Sequence, residues 1–164
     1  MELQAVATEV EELGETYEAN AVLKSEAAAA RTGLAALGDD SGLEVEALGG
    51  FPGLHSARLA TTQDERHQVL FSRLAAVPRP WRARFVCVVA LSAPDQPARA
   101  FHGERWGEIV EPRVSGHGFG YDPVFWVPEV GRTFAEMEPH EKHRWSHRGA
   151  AVRALLDSGA LSTI

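Results

Sequence analysis

Residues 84–92 are apolar on alternate positions of both sets, with Phe85, Cys87, Val89 and Leu91 in one set and Val86, Val88 and Ala90 in the other. In a strand successive side chains leave on opposite faces, so such a segment has to be covered on both sides. It is expected as a central strand with other layers packed above and below it. The rest of the chain interleaves strand-like and helix-like stretches, which places the fold in the α/β or α+β class. Residues 3–10 alternate loosely and are expected as a strand leading into the acidic turn Glu11-Glu12-Leu13-Gly14. Thr16 is expected to cap a helix that runs to about Arg31 and stops at Gly33. Its buried stripe is expected at Leu23, Ala27 and Ala30, with Tyr17, Asn20 and Lys24 together on another face.

Further along, residues 34–37 are expected as a short strand ending in the turn Gly38-Asp39-Asp40-Ser41-Gly42, and residues 43–47 as a second strand. A glycine-rich turn, Gly49-Gly50-Phe51-Pro52-Gly53, follows. A helix is expected from Thr62 to about Ala76, closed by Pro78 and Pro80, and residues 98–111 as paired or bent strand around Gly103 and Gly107. Ser146 is expected to cap a last helix that runs to Asp157. With 164 residues, 45 % of them apolar, and no visible linker or repeat, the chain is expected as one domain over residues 1–164.

Composition removes several function classes. No apolar run reaches the ~18 residues of a membrane span, and Met1-Glu2-Leu3-Gln4 has neither part of a secretory signal. Cys87, the only cysteine, lies within the apolar strand, so it is read as a buried hydrophobe rather than a catalytic thiol, and a reducing cytoplasm is expected. A net charge of −7 argues against a polynucleotide partner. It leaves open a mononucleotide whose phosphates are carried by a metal ion.

Four segments are candidates for chemistry. Gly38-Asp39-Asp40-Ser41-Gly42 places two carboxylates at a strand end, suited to a hard cation or a water to be deprotonated; an ordinary acidic turn is the alternative. Glu12 supplies a second metal carboxylate if its turn folds against Asp40; otherwise it belongs to a solvated charge run. Gly116-His117-Gly118-Phe119-Gly120-Tyr121-Asp122-Pro123 suits a loop closing on a flat ligand, with Phe119 or Tyr121 to stack on a base; a hairpin with tucked aromatics is the alternative. In Lys142-His143-Arg144-Trp145-Ser146-His147-Arg148, His147 and Arg148 follow Ser146 in a helix's first turn, where cations oppose the dipole and so point to an anionic or carbonyl-bearing ligand; a solvated charged face is the alternative for Arg144.

Taken in order, these segments resemble the inosine/xanthosine triphosphate pyrophosphatase family. The matching residues run from Glu12-x-Gly14-x-Thr16-Tyr17-x-x-Asn20-Ala21-x-x-Lys24 through Asp39-Asp40-Ser41-Gly42-Leu43 and Gly49-Gly50-x-Pro52-Gly53-x-x-Ser56-Ala57-Arg58. They continue with Pro112-Arg113, Gly118-Phe119-Gly120-Tyr121-Asp122-Pro123-x-Phe125 and Lys142-x-x-x-Ser146-His147-Arg148. The resemblance implies an elongated α/β fold, a mixed twisted sheet with two lobes around a nucleotide cleft, and a homodimer. It implies Mg²⁺-dependent cleavage of ITP, dITP or XTP to the monophosphate and pyrophosphate. By the same resemblance Asp40 is the general base and a metal ligand, and Glu12 is the second metal carboxylate. Ser41, Phe119, Gly120, Tyr121, Asp122, Lys142, His147 and Arg148 are then the substrate contacts.

Three departures from the family pattern stand out. Family members open with a strand and a Ser/Thr-x-Asn-x-x-Lys phosphate loop, and this chain is expected to start after that point. Ala19 replaces a usual Glu, losing the reciprocal capping box at a cost on the order of 1 kcal/mol or less. Val114 replaces a frequent glycine. Two other readings compete: a relative that binds nucleotide or dimerises with little catalysis, and a metal hydrolase using Glu12 and Asp40 on an unrelated substrate.

Overall fold

The computed structural model describes residues 4–7, 10–113 and 118–164. In these residues five strands form one sheet in sequence order: β1 (Ala36–Val45), β2 (Trp81–Ser92), β3 (Arg99–Ile109), β4 (Phe125–Val127) and β5 (Arg132–Thr133). The α/β class holds, and among the described residues every strand pairing is antiparallel. Among the described residues four α-helices accompany the sheet: α1 (Tyr17–Thr32), α2 (Gln63–Leu74), α3 (Pro139–Trp145) and α4 (His147–Asp157).

The helix ends follow local chemistry. Thr16 Oγ1 accepts from Ala19 N at 3.0 Å to start α1, and Gly33 closes it through a hydrogen bond to Ala29 O at 2.8 Å. Thr62 and Glu65 form a full capping box on α2, and Ser146 Oγ accepts from Gly149 N to cap α4. Proline at the first position of α3 suits a site where no helical N–H bond is needed.

As expected, β2 is covered on both faces. Its odd residues Cys87, Val89 and Leu91 pack against Ala151 and Leu155 of α4, while Val88 and Ala90 pack against Ala21 of α1. The larger core lies beyond, where Leu43, Leu70, Leu74, Trp81, Phe85, Phe125, Phe134 and Met137 meet. Phe125 and Phe134 are fully buried, so truncating either to alanine removes about 3–5 kcal/mol of stability. Two glycines fix how closely the helices approach the sheet. A Cβ on Gly38 would lie 2.5 Å from Ser25 N of α1, and one on Gly103 would lie 2.3 Å from His147 O of α4.

Three expectations are corrected. Gly38-Asp39-Asp40-Ser41-Gly42 is no turn: it is the middle of one continuous strand, β1, in register with residues 86–90 of β2. Hydrogen bonding to a strongly β-forming neighbour overrides the weak strand propensity of Gly and Asp. On α1 the buried residues are Asn20, Ala21, Ser25, Ala28 and Ala29, while Leu23 and Ala30 are exposed. The face carrying Tyr17, Asn20 and Lys24 meets β1 instead, because β1 offers polar partners there. Gln4, Ala5, Val6, Ala7 and Val10 lie outside any strand, and the rest of the expected strand over residues 3–10 lies outside the described residues, as do Val114, Gly116 and His117.

Candidate active site

The acidic end of the site is assembled around Asn20 and Lys24, one turn apart on α1. Asn20 accepts from Gly14 N at 2.8 Å and donates to Asp40 Oδ2 at 3.2 Å, so one buried amide ties the acidic turn to β1. Lys24 Nζ then lies between Glu12 Oε1 at 2.6 Å and Asp40 Oδ1 at 2.9 Å, and also donates to the Asp39 carbonyl at 3.1 Å. Arg58 reaches the other oxygen of Glu12 at 3.3 Å. Burial works against the Lys24 ammonium, but the bonds from Glu12 and Asp40 outweigh it and hold its pKa above the ordinary lysine value. Two carboxylates and a carbonyl converging on one cation form a hard-oxygen donor set, the kind that magnesium takes together with phosphate oxygens and water. Among the described residues no group of three or more His, Cys, Asp or Glu is placed to hold a metal, so a protein-only cage is absent there.

A cleft of about 320 Å³ opens alongside. Ser41, Phe119, Gly120, Tyr121, Asp122, Lys142, His147 and Arg148 all line it, from three separate parts of the chain. Glu12 and Asp40 are not among its lining: both meet Lys24 of α1, Asp40 from the position before Ser41 on β1 and Glu12 from the turn before α1. Phe119 is 66 % exposed, so its ring is free to stack on a flat ligand. Tyr121 serves differently. It is buried in the core, its hydroxyl donates to Ser56 O at 3.0 Å, and burial pushes it up to about 12. Buried Asp122 organises the loop, accepting from Phe119 N at 2.8 Å and from Lys142 Nζ at 2.5 Å. Lys142 Nζ also lies 4.5 Å from the centre of the Phe119 ring.

The first turn of α4 differs from the expectation of two cations. The His147 ring is stacked on Phe85 at 4.5 Å, and burial, then Arg148 and Lys142, lower its pKa to about 3. It is therefore neutral at pH 7 and does not oppose the helix dipole. Its Nδ1 is buried with no hydrogen-bond partner, a cost the protein bears on the wall of the cleft. Arg148 is the remaining cation, and Asp39 Oδ2 holds it at 2.7 Å.

Several lining residues escaped the sequence reading. Ser56, Arg66, Phe85 and His143 all line the cleft. Just behind it, His67 Nε2 lies 2.8 Å from Gly120 O; a carbonyl only accepts, so Nε2 carries the proton. His67 and Arg66 stand alone in an ordinary amphipathic helix, α2, and nothing local marks them. Ser56 sat inside the matched motif, yet its place is explained only by the fold: its Oγ accepts from Leu43 N at 2.8 Å and so ties the Pro52-Gly53 loop to β1.

Comparison with known proteins bears on all of these segments at once. The chain is 53 % identical over 151 residues to the dITP/XTP pyrophosphatase of Thermus thermophilus, covering 90 % of this chain and 72 % of that one. Its fold is similar to that of the Staphylococcus aureus Ham1 protein, with a TM-score of 0.85, 41 % identity, and coverage of 96 % of this chain and 82 % of that chain. A HAM1 protein from Coxiella burnetii is similar to the same degree, with a TM-score of 0.84, 44 % identity and the same two coverages. The Ham1 family profile matches residues 1–158, a span that takes in both the acidic end and the cleft, and the chain belongs to the Ham1 family.

Proposed function

We propose that this protein hydrolyses purine nucleoside triphosphates with altered bases, namely ITP, dITP and XTP, to the monophosphate and pyrophosphate. The observation that carries the reading is the pairing of two unlike sites across one strand: a converged carboxylate pair, Glu12 and Asp40, beside a cleft lined by Phe119, Lys142, His147 and Arg148. Relatives named as dITP/XTP pyrophosphatases, at about half identity over most of the chain, support it.

In this reading Glu12 and Asp40 would hold Mg²⁺, which would supply charge neutralisation to the phosphates when bound. Asp40 takes the proton as a water oxygen adds to the α-phosphorus, and the bond from that phosphorus to the bridging oxygen breaks to release pyrophosphate. Asn20 holds the Asp40 carboxylate by its Oδ2, which fixes the orientation of the base. Lys24, which shares both carboxylates in the free protein, is placed to meet the phosphate charge. Phe119 covers the purine face, and Lys142 and Arg148 present donors. Inosine and xanthine offer a 6-keto acceptor to such donors, whereas adenine offers an amino group that leaves them unpaired, a penalty of roughly 1–3 kcal/mol. The same reading takes a homodimer in the cytoplasm as the working form.

Product analysis tests the proposal. ITP with Mg²⁺ is expected to give IMP and pyrophosphate, at rates well above those for ATP and with loss of turnover in EDTA. Release of IDP and orthophosphate, or equal rates for ITP and ATP, refutes it.

A further inference from the structure

Adjacent carboxylates in a turn share one neighbourhood, but in an extended strand they leave on opposite faces. Asp39 and Asp40 lie within β1, opposite Val89 and Val88 of β2. Asp40 points to α1, where Asn20 and Lys24 meet it. Asp39 points to α4, and its Oδ2 accepts from both Nε and Nη2 of Arg148 at 3.0 and 2.7 Å. Buried Cys87 lies beneath the pair, its Sγ 3.9 Å from the same oxygen. Arg148 lies in the first turn of α4, where the helix dipole disfavours a cation, and it lines the cleft beside His147. Burial disfavours the charged guanidinium, and Asp39 more than restores it.

We propose that Asp39 is a positioning residue for nucleotide recognition: it fixes the Arg148 guanidinium on the cleft wall, while Asp40 serves the phosphate end. The two members of the Asp-Asp pair thus divide recognition from chemistry across the thickness of one strand. This rests on the reading of the cleft as the purine-nucleotide site. A guanidinium already held at Nε and Nη2 has its plane set before the ligand arrives, so binding orders it little further. Both side chains of the pair are more than 40 % exposed, so the ion pair itself adds little to stability. A positioning role and a structural role therefore separate in experiment.

The test uses Asp39→Asn, Asp39→Ala, Arg148→Ala and the double alanine variant, with ITP and ATP kinetics, melting temperature, and calorimetric binding of IMP. The expected result for Asp39→Asn is a KM for ITP and a Kd for IMP raised about tenfold, kcat within about threefold, a nearly unchanged melting temperature, and a narrower preference for ITP over ATP. The double alanine variant is expected to bind IMP no worse than Arg148→Ala alone, since each removes the same interaction. Additive losses in the double variant overturn the proposal, as does a collapse of kcat at unchanged KM. IMP binding keeps the two readings apart. If the wild type binds IMP but does not cleave ITP, the assigned reaction fails while the IMP data still decide the role of Asp39. If it binds no nucleotide, both fail.

Discussion

Lys24 dominates the charge balance of the acidic end in the free protein, because Glu12 and Asp40 both bond to its ammonium. Lys24→Met takes away the cation between those two carboxylates and leaves Arg58 on Glu12 and the Asn20 amide on Asp40. In EDTA the variant is expected to melt below the wild type, and added Mg²⁺ is expected to raise its melting temperature by more than it raises the wild type's. An equal or smaller Mg²⁺ shift would show that Glu12 and Asp40 do not share a cation site. His147 gives a second prediction, in pH. Its folded pKa of about 3 lies below the unfolded value near 6.5, so the folded state binds fewer protons between those limits. Its contribution is complete above about pH 6.5 and is lost progressively as pH falls towards 3. Phe85 and Phe134 face the ring from the core, and Lys142 and Arg148 are the cations that add to the shift. Between pH 7 and pH 5 the wild type is therefore expected to lose roughly 2 kcal/mol more than His147→Phe in urea unfolding. Parallel pH profiles would contradict the neutral, buried assignment.

Among the elements, the loop over residues 118–122 depends on anchors outside itself. His67 of α2 bonds Gly120 O, and Tyr121 bonds Ser56 O, leaving Phe119 at the surface. His67→Ala removes one anchor worth about 1 kcal/mol and is expected to raise the KM for ITP severalfold with a smaller change in kcat. An unchanged KM would mean that Tyr121 and Asp122 hold the loop unaided. That His67 was invisible in the sequence while Thr16, Gly33 and Ser146 were readable has one cause. A cap bonds to backbone three or four residues away, so its signal is local, whereas His67 and Gly120 are 53 positions apart. The same limit explains β1: two glycines and two aspartates look like a turn until the ladder with β2 is known. It explains α1 as well, where counting apolar residues selected Leu23 and missed that Asn20 and Lys24 face a polar strand. α3 was not foreseen because its seven residues are too few to show a helical period. Eight of the cleft-lining residues, from Ser41 to Arg148, were by contrast legible because they arrive in motifs whose order survives folding, whereas Arg66 and Phe85 lie outside those motifs.

Across the whole molecule, β1 is the divide. α1 lies against one face at Gly38 and carries the partners of Asp40; α4 lies against the other face of the sheet at Gly103 and carries His147 and Arg148. In the proposed reading, chemistry at Asp40 and recognition through Asp39 lie one residue apart along the strand, on separate supports. The arrangement predicts that each end can be damaged without the other. The most direct measurement is pyrophosphate release from ITP with Mg²⁺ by Asp40→Asn beside the wild type, with IMP affinity determined for both. Turnover is expected to fall by ~10²–10⁴ while IMP affinity stays within about threefold of the wild type. Turnover near that of the wild type would contradict the role of Asp40.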